Sequence, residues 1–222
     1  MIEILGVKLH AYGLLIGIGV YLAWEITRKL GKIEEKELDK IFFGLIFFGV
    51  LGARAYHVID LWQYYSKNFI EIFYLWNGGL GIWGALLGGI AYLSYYSYFN
   101  KLNLLKLLDS VVIGVPLAQA IGRLGNWVNG ELYGKNGEPL FAWEAGLNLI
   151  LFGLLVYFSK KNKHIGFLTG LYFLGYGVIR IYLENFRPNS IIWRTGGIPT
   201  AIIFGVVAVA SGIFLIQKRP TK

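Results

Sequence analysis

Five of the seven arginines in this chain, Arg54, Arg123, Arg180, Arg187 and Arg194, lie away from the lysine-rich ends of its apolar segments. A guanidinium stays charged when partly desolvated and presents a planar pair of donors. Several of them with few compensating carboxylates therefore suit a phosphate. The densest concentration of such chemistry is the run Gly122-Arg-Leu-Gly-Asn-Trp-Val-Asn-Gly-Glu-Leu-Tyr-Gly134. Two glycines flank Arg123, Asn126 and Asn129 stand three residues apart, and Glu131 and Gly134 follow. Glycine allows a backbone to approach a ligand closely, and the two amides and the carboxylate supply donors and acceptors around the guanidinium. Composition alone leaves a re-entrant turn with small-residue helix packing equally open.

The chain that must position these residues is 56% hydrophobic, 17% aromatic and only 15% charged. Soluble domains carry about 25% charge, so an integral membrane protein is what remains. Thirty glycines and five prolines without a G-X-Y period exclude collagen-like and disordered classes. The formal charge of +8 is distributed between apolar runs and forms no single basic patch, so nucleic acid is not an expected partner. With no cysteine in the chain, disulfides, thiolate metal sites and a cysteine nucleophile are excluded, and any thiol in the chemistry belongs to a substrate. No metal or cofactor is expected.

Seven apolar windows approach the ~20 residues that cross a bilayer: 11–27, 41–61, 80–99, 104–121, 141–158, 165–183 and 198–216. The first reads as a permanent span, because no basic segment precedes it and no small-residue cleavage site follows. The fourth is interrupted by Lys106, Asp109 and Pro116. No linker or repeat divides the sequence, so residues 1–222 are expected to form a single integral-membrane catalytic domain of all-α, polytopic architecture. Short cytoplasmic loops accumulate basic residues. Eleven lysines, from Lys29 to Lys222, fall on one side, and Lys8, Lys67 and Lys135 on the other. The expected topology is seven transmembrane helices with the N-terminus outside and the C-terminus cytoplasmic. At 1.5 Å per residue Arg54 then lies roughly 20 Å above the cytoplasmic end of its span and Arg180 about 22 Å, with Glu184 at the outer rim. Tyr12, Trp83, Arg123 and Glu144 fall near the same face. Ionisable groups at membrane depth mark a site by default, and in the outer leaflet the available phosphate is a phospholipid headgroup. Asp109, near the cytoplasmic start of its span, is expected to favour a helix N-terminus.

The run GRLGNWVNGELYG resembles the signature of the bacterial prolipoprotein diacylglyceryl transferase family. The resemblance extends to Ala11–Gly13, Ala53-Arg54, the GGLGIWGALLGG of Gly78–Gly89, Asp109 with Pro116 and Gln119, Pro139 with Trp143-Glu144, and Tyr176–Arg187. It implies a multi-pass enzyme of the bacterial cytoplasmic membrane whose partners are phosphatidylglycerol and prolipoprotein signal peptides carrying a lipobox cysteine. The implied reaction moves the sn-1,2-diacylglyceryl group onto that cysteine and releases glycerol 1-phosphate. It also implies that Arg123 and Arg180 bind phosphate and stabilise charge, and that Tyr12 is needed. Asn126, Asn129, Gly134, Arg54, Glu184 and Arg187 join them as expected lipid-binding residues. Where the family often carries His in GGLxxHG, this chain has Trp83. Trp accepts no proton, so Glu131 is the expected base, with His57 expected to be structural. Two other readings stand beside this one: a lipid-binding homologue without transferase activity, suggested by Trp83, and a small transporter. The paired inverted repeats common in transporters are not evident.

Overall fold

A helix satisfies its own backbone hydrogen bonds, which is what a segment surrounded by lipid requires, and helix occupies all seven apolar windows. A computed structural model describes residues 2–4, 7–9, 11–161 and 164–218, without the side chains of 1–12 and 77. His10, Lys163, Arg219, Lys222 and the side chains of Lys8 and Tyr12 therefore lie outside the described residues. A hairpin of β1 (Ile2–Ile4) and β2 (Val7–Leu9) leads into α1 (Ala11–Leu30). Then come α2 (Glu35–Asp60), α3 (Trp62–Tyr65), α4 (Ile82–Phe99), α5 (Leu104–Val111) and α6 (Val115–Val128). The chain continues through α7 (Leu140–Lys161), α8 (Phe167–Glu184), the two-residue strands β3 (Arg194–Thr195) and β4 (Ile198–Pro199), and α9 (Thr200–Gln217).

Three of the described helices, α2, α7 and α9, are long and apolar enough to cross a membrane, and a fourth is added if α5 and α6 form one bent span. Tyrosine and serine dilute α4, and Arg180 and Glu184 dilute α8. The 41° bend between α5 and α6 has two local causes. Pro116 stands in the first turn of α6, where its missing N–H costs nothing but cannot continue α5. A Cβ on Gly114 would come within 2.2 Å of the Ala23 carbonyl oxygen, so α1 presses directly on the break.

Where the sequence shows no linker, the chain forms two compact units, residues 1–32 with 108–222, and residues 33–107. In the second, α2 and α4 touch through bare backbone. A Cβ on Gly52, Gly84 or Gly88 would lie 2.1–2.3 Å from a carbonyl oxygen of the facing helix, a close approach that small residues allow. Gly78 and Gly79 do something else: both have positive φ (82° and 74°) and turn the chain into α4. Arg54 is buried against this turn. Its Nε donates to the Ile72 carbonyl (2.8 Å), Nη1 to Gly78 (2.8 Å) and Gly79 (3.2 Å), and Nη2 to Glu71. Its ring neighbour Tyr65 lies 5.2 Å from the guanidinium carbon. Arg54→Ala should therefore loosen residues 69–81 by roughly 2–4 kcal/mol of local stability, since four acceptors lose a charged donor. Hydrogen exchange confined to that segment checks this; unchanged protection there would refute it.

In the first unit, α8 crosses α9 at Gly170 and Gly212 and again at Gly177 and Gly205. The core beneath is Ile113, Leu140, Leu151, Leu155, Leu168 and Leu183. Asp109 is fully buried and does serve a helix N-terminus, but that of α8 instead of its own. It accepts from the Gly166 N–H (2.8 Å), the Thr169 N–H (2.9 Å), the Thr169 hydroxyl (2.7 Å) and Lys32 Nζ (3.0 Å). Lys32 also donates to the His164 carbonyl at 3.1 Å.

Candidate functional site

The first unit gathers its charges where α6, α7 and α8 come together. Arg123, on α6, donates from Nη2 to Glu144 Oε1 on α7 at 2.7 Å and from Nη1 to Asn126 Oδ1 at 3.0 Å. Arg180, on α8, reaches the same carboxylate from the other side: Nη1 lies 3.7 Å from Glu144 Oε2, and Nη2 lies 3.8 Å from Glu184 Oε2. Those are ion-pair distances beyond hydrogen-bond reach, so the Arg180 donors stay available while the charge is partly balanced. Arg187, one turn beyond Glu184, sits 3.4 Å from its Oε2. Both carboxylates are buried. Three guanidinium groups face these two buried carboxylates, and a third, exposed carboxylate, Glu131, is linked to Arg123 through Asn126.

The signature run supports this cluster from its end. Asn126 and Asn129 donate to Glu131 at 3.2 and 3.4 Å, so Glu131 is joined to Arg123 through Asn126. On either side of it the backbone has positive φ, Gly130 at 69° and Leu132 at 64°. A bulky residue in the left-handed region costs about 1–3 kcal/mol and needs support. Leu132 has it from its packing on the core and from the Phe141 N–H, which donates to its carbonyl at 3.2 Å. Gly134 closes the turn: its N–H donates to the Glu138 carbonyl at 2.8 Å, and a Cβ there would overlap the Glu138 carboxylate. The Asn136 backbone N–H, its amide and the Glu138 N–H hold that carboxyl below the usual range.

Of the sequence-expected residues, Arg123, Arg180, Asn126, Asn129, Glu131, Glu184 and Arg187 lie in or beside this cluster. Gly134 shapes the loop. Arg54 belongs to the other unit and is occupied by the carbonyls named above, which favours a loop anchor over a phosphate ligand. His57 packs against Tyr65 with ring centroids 5.9 Å apart, and Trp83 stands in the first turn of α4. Tyr12 begins α1, and its side chain is outside the described residues.

Sequence reasoning placed Glu144 at the outer level without a role, and the structure makes it the partner of both arginines. A glutamate inside an apolar helix was the available signal. Also missed were Tyr172 and Tyr176, stacked at 5.7 Å and 6°, with Gln119 Nε2 donating to the Tyr172 hydroxyl at 3.0 Å. Gln119 Oε1 and both amide atoms of fully buried Asn148 have no hydrogen-bond partner among the described residues. Each such buried group costs about 1–3 kcal/mol.

A sequence model of the prolipoprotein diacylglyceryl transferase family matches residues 1–217. The chain belongs to that family. A relative from Finegoldia magna, named phosphatidylglycerol–prolipoprotein diacylglyceryl transferase, is 33% identical over 97% of this chain and 93% of its own length. Relatives of the same name from Streptococcus uberis (34% identical, covering 96% of this chain and 92% of the relative) and Clostridium novyi (33%, 99% and 95%) agree along nearly their whole lengths. In this diacylglyceryl transferase family member, the signature arginine and the arginine of α8 converge on one buried glutamate.

Proposed function

We propose that the chain transfers the sn-1,2-diacylglyceryl group of phosphatidylglycerol to the lipobox cysteine of prolipoproteins, the activity in the names of its relatives. The observation that carries this reading is the arginine–glutamate cluster, in which the Arg180 guanidinium stands beyond hydrogen-bond reach of Glu144 and Glu184 and can turn its donors to a phosphodiester. In the reaction a bond forms between the cysteine sulfur and the glyceryl carbon as that carbon's bond to the phosphate oxygen breaks. The electron pair leaves with glycerol 1-phosphate, and the thiol proton passes to water. Charge grows on the departing phosphate, so free Arg180 donors and the Arg123 fork act where stabilisation lowers the barrier. Thiolate forms more readily beside a cationic site. Arg187 and Glu184 tune the charge at Arg180, Asn126 and Asn129 steady the signature loop, and Tyr12 keeps the role its family resemblance implies. The chain works as one catalytic domain in the bacterial cytoplasmic membrane, with seven spans, the N-terminus outside, the C-terminus cytoplasmic and the site toward the outer leaflet. The lysine distribution supports that topology.

The test is the purified protein in vesicles with labelled phosphatidylglycerol and a lipobox peptide. Thioether-linked product together with glycerol 1-phosphate supports the reading. Lipid binding without product would favour the inactive homologue, and anion uptake a transporter.

Glu131 acts through Asn126 as a positioning residue in this reading, a change from the base expected on sequence. Glu131→Gln should lower transfer by ~10-fold or more, and the deficit should persist as pH rises through ~8.5, where the substrate thiol ionises unaided. Recovery of rate at high pH would restore the base role.

A further inference from the structure

We infer that Asn148, together with Gln119, which donates to the Tyr172 hydroxyl, forms the seat for the peptide group adjoining the reacting cysteine of the protein substrate. This rests on the transfer reaction proposed above. Gln119 stands four residues from Arg123 on α6 and Asn148 four residues from Glu144 on α7, each about 6 Å along its helix. Glu144 pairs with Arg180, while a Cβ on Gly175 would meet Leu151 at 2.6 Å. So α7 and α8 run antiparallel, and Asn148, between Glu144 and Leu151, comes level with Tyr176. The amides thus form a second polar layer one helical turn from the arginine–glutamate layer.

Two independent arguments point that layer at the peptide. The first is the pattern of open hydrogen-bonding capacity. Asn148 offers an unpartnered donor and an unpartnered acceptor, and Gln119 a second acceptor, among the described residues. The diacylglyceryl part of the lipid carries ester carbonyls, which accept but never donate, and the donating hydroxyls of the headgroup glycerol lie across the phosphate from the reacting carbon. A peptide group brings both a C=O and an N–H, and matches an amide side chain on both edges. The second is the reaction geometry. Displacement at carbon requires sulfur opposite the departing phosphate oxygen. A near-attack separation of about 3–3.5 Å added to the carbon–oxygen–phosphorus link puts sulfur roughly one helical turn from phosphorus. With phosphate held by Arg123 and Arg180, the layer of Asn148 and Gln119 stands at the separation from it that the cysteine and its neighbouring peptide group require.

The experiment measures binding of a fluorescent lipobox peptide, its cysteine replaced by serine so that no turnover occurs, to the full chain in phosphatidylglycerol-containing vesicles. Asn148→Leu keeps the side-chain volume and removes both hydrogen bonds. It should weaken peptide binding by ~10-fold or more and leave the KM for phosphatidylglycerol unchanged. N-methylation of the peptide at the reacting position should weaken binding to the parent protein by a similar factor and add little in Asn148→Leu. Gln119→Met, a milder change, should show the same direction and keeps the test open if Asn148→Leu fails to fold. Unaltered peptide binding with a raised KM for the lipid would assign the layer to the ester carbonyls and overturn the inference. Indifference of both substrates to both variants would overturn it too. A parent protein that binds peptide in this pattern but yields no thioether refutes the transfer reaction and leaves the seat standing. Transfer with variant-insensitive peptide binding refutes the seat alone.

Discussion

Arg123→Lys is expected to cut the rate of diacylglyceryl transfer by ~10²–10³ or more, the magnitude for loss of one preorganised charge-stabilising donor, although the positive charge is retained. Arg123 holds Glu144 at 2.7 Å and Asn126 at 3.0 Å with two different nitrogens of one rigid fork. An ammonium is a compact point charge without that planar geometry. Lysine could keep the ion pair with Glu144 or the contact to Asn126, but not the planar pair of donors that the proposed phosphate contact requires. The loss should appear in kcat and kcat/KM alike, because it concerns charge that develops as the phosphate departs. Single-turnover transfer to a lipobox peptide at saturating lipid is the measurement. Turnover within about threefold of the parent would remove Arg123 from transition-state stabilisation.

Asp109→Ala is expected to destabilise the protein by about 3–5 kcal/mol, as removal of one partner from a buried ion pair does. Four donors converge on this fully buried carboxylate: Lys32 Nζ, the Thr169 hydroxyl and the backbone N–H groups of Gly166 and Thr169. Without it, the Lys32 ammonium is left with the His164 carbonyl among the described residues, and the first turn of α8 loses both its cap and a negative charge at the positive end of its dipole. Because α8 carries Arg180 and Glu184 about three and four turns beyond Thr169, the loosened helix should also lower activity. Asp109→Asn keeps one acceptor oxygen but turns an NH₂ toward donors, so it should fall between the parent and Ala. Thermal unfolding in detergent measures both variants. A melting temperature for Asp109→Ala equal to the parent's would refute the clamp.

The helices were legible because lipid leaves an apolar segment one way to satisfy its backbone. Every apolar window in the sequence is occupied by helix, even the fourth, which Lys106, Asp109 and Pro116 interrupt and which the structure bends by 41°. The family was legible too, since GRLGNWVNGELYG and the motifs around it keep their order along the chain. Arg123, Arg180, Glu184 and Arg187 could be singled out without coordinates because charge is costly at membrane depth wherever it occurs.

What sequence could not decide was which charge meets which. Arg54 and Arg123 look alike in the sequence, each an arginine in or just after an apolar segment that contains glycines. Only the turn at Gly78 and Gly79 shows that the Arg54 donors are taken by carbonyls, while Arg180 keeps its own beyond hydrogen-bond distance of Glu144 and Glu184. Asp109 was readable as a helix-capping carboxylate, but its partner is sixty residues away at Thr169. Glu144 and Asn148 carry no local pattern that names their neighbours. Spacing and hydropathy act along the chain and are written in it. Pairing of charges and satisfaction of amides depend on which faces of α6, α7 and α8 turn toward each other, and that follows only from how the helices pack.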